Sequence, residues 1–100
     1  MLRMDWWVVL QQEVLSNPFY ERIKSAREQT PRNYLLRDGV WFKKGRILLS
    51  PSSTLLPAIL SNNHSTPIGD HFGFLKTLSR IQVMFSWSGV RNSVKKYIQE

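Results

Sequence analysis

The feature that most constrains the fold is a pair of tight-turn signals inside one short segment, residues 34–49. The dipeptide Asp38-Gly39 lies between two β-prone runs, and the tripeptide at 43–45 separates the second run from a third. An Asp-Gly pair between such runs is a strong hairpin signal, and a glycine-containing loop is a weaker one. The segment is therefore predicted to form a small antiparallel β-meander.

Helical patterns flank this meander on both sides. Asn17-Pro18 interrupts the first pattern and Thr30-Pro31 ends the second, so the early helices form an arm. The predicted helices cover residues 6–15, 18–29, 54–63, 72–85 and 89–99, and a tight connection at residues 86–89 leads into the last of them. The fold class expected is α+β, mainly α: a helical arm at residues 1–31, then one domain at residues 32–100 in which the meander precedes a three-helix bundle.

Apolar spacing predicts which side of each late helix faces the core. The predicted core-facing residues of the fourth helix are Leu75, Leu78, Gln82 and Phe85, with Phe74 and Ile81 beside them. Those of the last helix are Val90, Val94, Tyr97 and Ile98. The pair Trp6-Trp7 is interpreted as a core or partner contact in preference to a stacking platform for bases.

Charge is distributed unevenly along the chain, whose formal net charge is +7. Residues 1–31 sum to zero, so the whole excess lies in residues 32–100. A basic domain behind a neutral arm is consistent with binding of a polyanion such as nucleic acid. It is equally consistent with a solvated basic surface that aids solubility. The longest purely apolar run, residues 6–10, is too short for a membrane span or a usual signal-peptide core, so a soluble chain without a targeting segment is expected.

The chain has no cysteine and only two histidines, His64 and His71, on either side of a loop that contains proline and glycine. Imidazole nitrogen is a good zinc donor, so two histidines at helix ends supply half of a tetrahedral site. A pair of histidines alone is more often a capping or packing feature. Ser65, Asp70 and His71 have the residue types of a catalytic triad. Such triads assemble from segments that are separated in sequence, so no enzyme active site is assigned.

The ordered motifs around these histidines are more specific than the pair itself. Residues 64–77 read HSTPIGDHFGFLKT and residues 85–98 read FSWSGVRNSVKKYI. Together with the strand pair around Val40 and Arg46, they resemble gypsy-type long-terminal-repeat retrotransposon integrases over about residues 34–100. Ser88 departs from the usual proline of that family.

The resemblance implies an amino-terminal zinc-binding module with a His-His-Cys-Cys site. His64 and His71 would be its histidine ligands, and a Cys-x-x-Cys pair would follow the last helix, where this chain stops. Zinc is therefore expected for the complete domain and is expected to bind weakly to a chain truncated before the cysteines. The catalytic core of such integrases lies in a separate domain, so this chain is expected not to be an enzyme.

Basic side chains on the late helices are the candidate DNA contacts. Lys76 and Arg80 are four residues apart on one helix, and Arg91 and Lys95 repeat that spacing on the next. Helices with basic outer faces suit phosphate contacts, although solvent-facing helix surfaces are commonly basic.

The expected function is that of a polyprotein fragment that supports DNA binding and integrase assembly. Its expected partners are the DNA of the element ends and other integrase subunits, with no membrane and no small-molecule substrate, and the resemblance implies a nuclear location. The alternatives are a protein-interaction module and a non-functional remnant of a degraded element.

Overall fold

The computed structural model describes residues 5–63 and 71–99, with the backbone alone at residues 71, 72 and 99. It is mainly helical with one small sheet, which confirms the predicted α+β class. The helices are α1 (Trp6–Ser16), α2 (Phe19–Gln29), α3 (Leu56–Asn63), α4 (His71–Met84) and α5 (Val90–Gln99). The strands are β1 (Tyr34–Arg37), β2 (Val40–Lys43), β3 (Arg46–Leu48) and β4 (Phe85–Ser86).

The meander forms as predicted, because both turns contain residues with positive φ in succession. Asp38 and Gly39 have φ of 53° and 74°, and Lys44 and Gly45 have φ of 51° and 83°. Two consecutive positive values define the turn whose twist matches paired antiparallel strands, and aspartate and glycine tolerate it best. The strands β1, β2 and β3 consequently pair antiparallel through two-residue loops.

The sheet separates two apolar clusters, because successive residues of a strand point to opposite faces. On one face, α2 packs through Tyr20 and Ile23 against Trp41 and Leu48. The other face carries the larger core, to which α1, the sheet and the three late helices all contribute. Its fully buried members include Leu10, Val40, Leu49, Ile59, Ile81 and Val94. The arm is thus part of the packed core through Leu10, and Trp6 and Trp7 pack against that core as expected.

Two predictions about the fourth helix are wrong. It ends at Met84 and not at residue 85, because Phe85 and Ser86 form a short strand parallel to β3. The predicted connection at residues 86–89 therefore begins one residue too early. Pairing with β4 satisfies backbone groups along the outer edge of β3, including a hydrogen bond from the Leu49 N–H to the Ser86 carbonyl (2.9 Å).

The core-facing side of α4 also differs from the prediction. Leu78, Ile81 and Phe85 are buried as expected, whereas Leu75 is 43% exposed and Gln82 is half-buried. The buried stripe is rotated towards Thr77, which is fully buried. The packing partners of the helix decide which side of a weakly amphipathic helix is buried, and spacing alone does not identify them.

The start of α3 is stabilised by a side chain from the arm. The Glu13 carboxylate accepts hydrogen bonds from the Ser53 hydroxyl (2.6 Å), the Thr54 hydroxyl (2.6 Å) and the Thr54 N–H (2.9 Å). The Ser53 hydroxyl in turn accepts from the Leu55 N–H, in the turn that precedes the first residue of α3. Pro57 lies in the first turn, where its missing N–H has no intrahelical partner to lose.

Candidate nucleic-acid interface and zinc-binding region

A buried tryptophan positions the start of α5 relative to α4. Trp87 lies between β4 and α5, and its indole Nε1–H donates to the Ser93 hydroxyl at 3.1 Å. Gly89 has a φ of 83°, a conformation that side chains with a Cβ rarely adopt. Its carbonyl accepts from the Ser93 N–H in the first turn of the helix. The segment at 87–89 is therefore a fixed corner, in agreement with the tight connection expected there.

The four candidate DNA contacts are all exposed. Lys76 and Arg80 lie on α4, and Arg91 and Lys95 lie on α5. Arg80 has an interaction of its own within the molecule. Exposure leaves these cations accessible to phosphate groups.

The structure places Arg91 beside α4, through a contact that the sequence did not indicate. Its guanidinium carbon lies 5.2 Å from the centre of the Phe74 ring. A guanidinium stacked on an aromatic face keeps its in-plane N–H groups available to an anion. Phe74 and Lys76 are about 200° apart around the helix, so Arg91 and Lys76 lie on different sides of α4.

The charge of this region has a single sign. The sequence from residue 71 to residue 99 contains no acidic residue. Its basic residues are Lys76, Arg80, Arg91, Lys95 and Lys96. On α2, by contrast, Lys24 pairs with Glu21 at 3.3 Å. A phosphate group approaching α4 and α5 meets no carboxylate of these helices.

A groove between α4 and the sheet contains a further basic residue, which the spacing of basic residues along the helices did not identify. Arg46 at the start of β3 shares this groove of about 390 Å³ with Leu75 and Val83 of α4. Val83 is 73% exposed and the adjacent Met84 is 50% exposed. The groove depends on the position of α4 beside β3, which no local sequence signal encodes.

The two candidate zinc ligands lie at the edge of what the structure describes. His64 is outside the described residues, directly after the last residue of α3. His71 is the first residue of α4, and its side chain is outside the described part. Helix α3, which ends one residue before His64, packs against α4.

The donor set in these 100 residues does not complete a structural zinc site. Such sites use four ligands, most often thiolates and imidazoles, and this chain has no cysteine and two histidines. Within residues 5–63 and 71–99, no group of three or more histidine, cysteine, aspartate or glutamate side chains is arranged to hold a metal. Asp70 and Glu100 both lie outside the described residues.

The family of the chain is indicated by comparison with known proteins. The model of a family described as the integrase zinc binding domain matches residues 51–100. No curated protein and no solved structure matches the chain. The matched half begins just before α3 and contains α4, β4 and α5, together with both histidines.

Proposed function

Because this chain belongs to the integrase zinc-binding domain family, we propose that it acts as an integrase amino-terminal module that contacts DNA and supports integrase assembly. The observation that carries the DNA part is the exposed, single-sign charge of α4 and α5 within the matched half. Contacts from such cations bind the phosphate backbone and orient a protein on the duplex without reading its sequence.

An exposed apolar surface supports the assembly part of the proposal. Leu75 and Val83 of α4 are exposed and line the same groove beside β3, on the helix that carries the candidate cations Lys76 and Arg80. Contiguous exposed apolar side chains commonly mark a protein contact, although single ones need no explanation. The partner proposed for this surface is another integrase subunit.

The finer identity rests on the motifs of the sequence. We propose that the chain derives from a gypsy-type retrotransposon polyprotein, in which residues 32–100 form the integrase-type domain and residues 1–31 an arm. His64 and His71 are the proposed histidine ligands, and the two thiolates would follow Glu100 in a longer chain. A nuclear location follows from this assignment, and none of the described helices is long and apolar enough to cross a membrane.

Salt-dependent duplex binding tests the DNA part. We expect the chain to bind a short DNA duplex with little sequence preference and with an affinity that falls steeply as salt rises, because phosphate contacts release counterions. Lys76→Glu and Lys95→Glu are each expected to weaken binding several-fold and to reduce the salt slope. Arg22→Glu on α2 makes the same charge change at another exposed position and is the matched control. Equal effects of all three variants would mean that net charge alone is responsible.

A protein-interaction module remains the second candidate, favoured by the apolar surface of α4. Val83→Glu is expected to abolish any concentration-dependent self-association, which sedimentation equilibrium measures. Val8→Glu on α1 changes an exposed apolar residue away from that surface and is the control. Self-association without salt-sensitive DNA binding would favour the interaction module over the DNA-binding module.

A further inference from the structure

The outer edge of β1 offers unpaired backbone groups. The sheet has the strand order β1-β2-β3-β4, so within residues 5–63 and 71–99 β1 has a partner strand on one side only. Two observations identify the residues of this segment that bond to β2. Arg37 pairs with Val40 across a two-residue loop, and the Lys44 N–H donates to the Asn33 carbonyl (2.9 Å). Since bonded positions alternate along an antiparallel strand, the N–H and C=O groups of Tyr34 and Leu36 point away from β2.

A groove with cationic walls lies on one side of this edge. It has a volume of about 320 Å³ and is lined by Leu35 and Phe42 together with three exposed basic side chains. These are Arg32, Arg37 and Lys44. The groove contains no acidic residue, so it suits carboxylate side chains.

A second groove, with an apolar floor, lies on the opposite face of the same strand. It has a volume of about 470 Å³ and is formed where α1 and α2 meet Leu36 and Trp41. Leu36 is 44% exposed, and Leu15 of α1 is 87% exposed. Glu21, Lys24 and Asp38 also line it, and Lys24 pairs with Glu21, so the charge left on this face is negative and disfavours an acidic occupant.

We propose that the β1 edge is a docking site for an extended peptide segment in which acidic and apolar residues alternate. An added strand would bond to the outward groups of Tyr34 and Leu36 and would direct successive side chains to opposite faces. Its acidic residues would meet Arg32, Arg37 and Lys44, and its apolar residues would cover Leu36 and Leu15. This site is separate from α4 and α5 and does not depend on their proposed role.

Charge complementarity distinguishes this occupant from a second copy of the chain. Pairing β1 with β1 of another molecule would bring two sets of three cations close together, and like charges across a sheet edge are destabilising. Nucleic acid would satisfy the cations but would leave the backbone groups of Leu36 without a strand partner and its side chain uncovered. A peptide satisfies the cations, the edge and the exposed leucines together.

The experiment measures binding of a capped eight-residue peptide of alternating glutamate and valine. Two control peptides have the same composition in two blocks, or carry N-methyl groups on alternate backbone amides. The proposal expects both controls to bind at least fivefold more weakly, because one loses the alternation and the other loses the edge hydrogen bonds. It also expects the alternating peptide to slow exchange of the Leu36 amide hydrogen at least tenfold.

Protein variants locate the site. Leu36→Pro removes the outward N–H at a position where an edge strand tolerates proline, and it is expected to weaken binding at least fivefold. Arg37→Glu with Lys44→Glu is expected to weaken binding at least tenfold, and the matched control Lys95→Glu with Lys96→Glu less than threefold. Since the N-methylated peptide leaves the protein intact, it decides the question even if Leu36→Pro does not fold.

Three results would overturn the proposal. The first is equal binding of all three peptides, and the second is unchanged exchange at Leu36 when the alternating peptide is saturating. The third is loss of duplex binding, or of self-association, in Arg37→Glu with Lys44→Glu when no peptide binds the unaltered chain. In that case the surface would belong to nucleic acid or to a second copy.

Discussion

The N-terminal part of the described chain, residues 5–55, and the helix pair at residues 71–99 are held by different kinds of contact. In the first, side chains bond to distant backbone groups: Tyr20 to Leu48 and Ser50, Glu13 to Thr54, and Gln11 to Asp38. The helix pair is joined to the rest mainly by apolar packing of its buried residues. These are Leu78, Ile81, Phe85, Trp87, Val94 and Ile98.

This difference shows which kind of contact fixes the orientation of each part in the fold. Hydrogen bonds have directions and distances, so the arm can dock on the sheet in only one way. Apolar packing is strong but less directional, and the backbone pairing of β4 with β3 adds a directional tie at the end of α4. A metal that joined the start of α4 to the chain beyond α5 would supply a directional tie to that part.

The largest effect is expected from completing the proposed zinc site. Extending the chain by Cys-x-x-Cys after Glu100 is expected to raise zinc affinity roughly a thousandfold or more, because four donors replace two. Amide exchange at residues 90–98 should slow on zinc addition in the extended chain alone. Competition with a chromophoric chelator measures the affinity. Nanomolar zinc binding by the 100-residue chain that survives His64→Ala would contradict the prediction.

Tyr20→Phe tests the polar ties of the N-terminal part. The Tyr20 hydroxyl is buried, donates to the Leu48 carbonyl (3.0 Å) and accepts from the Ser50 N–H (3.2 Å). Removing it leaves two backbone groups without this partner, so the free energy of unfolding should fall by about 2 kcal/mol at neutral pH. Urea unfolding measures the change. Tyr34→Phe, at a half-buried tyrosine, is the control and is expected to change little.

The same residue makes stability depend on alkaline pH. Burial raises the pKa of Tyr20 to about 12; the Glu13 carboxylate also raises it, and the hydrogen bond from Ser50 opposes the rise. An unfolded tyrosine ionises near pH ~10. The contribution is therefore complete below about pH 10 and is lost as the pH rises through about 12, by roughly 2–3 kcal/mol. Tyr20→Phe should lack this part of the alkaline loss, and parallel profiles of the two proteins would refute the assignment.

Glu13→Ala tests the tie between the arm and α3. It removes three hydrogen bonds at a half-buried site, and an expected loss of about 2 kcal/mol reflects partial replacement by water. Glu13→Gln keeps one acceptor oxygen and should lose less. The exposed neighbour Gln12→Ala is the control. If Glu13→Ala unfolds at the same urea concentration as Gln12→Ala, the Glu13 hydrogen bonds do not contribute to holding the arm on α3.

The smallest effect is expected in the helix pair and has the opposite sign. The Thr77 hydroxyl is buried in α4 and has no hydrogen-bond partner in the part of the chain that the structure describes. Thr77→Val keeps the shape and removes the unsatisfied group, so stability should rise by about 1 kcal/mol. Thr77→Ala, which leaves a cavity, should lower it. A loss of stability in Thr77→Val would show that the hydroxyl is bonded in solution.

Local signals in the sequence determined the secondary structure closely. Asp38-Gly39 specified a hairpin because its φ values suit few other residues, and Asn17-Pro18 separated α1 from α2 for the same kind of local reason. The family could also be recognised from motif order, since residues 64–77 and 85–98 carry it within short stretches. These features depend on neighbours along the chain, which the sequence shows directly.

The candidate site was only partly accessible to the same reasoning. The exposure of Lys76 and Lys95 follows from helical spacing, whereas the position of Arg91 over Phe74 depends on how α5 crosses α4. The roles of His64 and His71 stay predictions, because neither side chain lies among the described residues.

Only the tertiary structure decided the contacts between distant segments of the chain. A two-residue strand such as β4 has no periodicity to detect, and it exists because the edge of β3 needed hydrogen-bond partners. The buried side of α4 contains Thr77 and Ile81 and excludes Leu75, because the packing of the helix on its neighbours decides which side is buried. Glu13 meets Thr54 across 41 positions of sequence, and the open edge of β1 follows from strand order. Such contacts depend on which surfaces pack together, and the free energy of packing is shared across the whole core, so no local pattern records it.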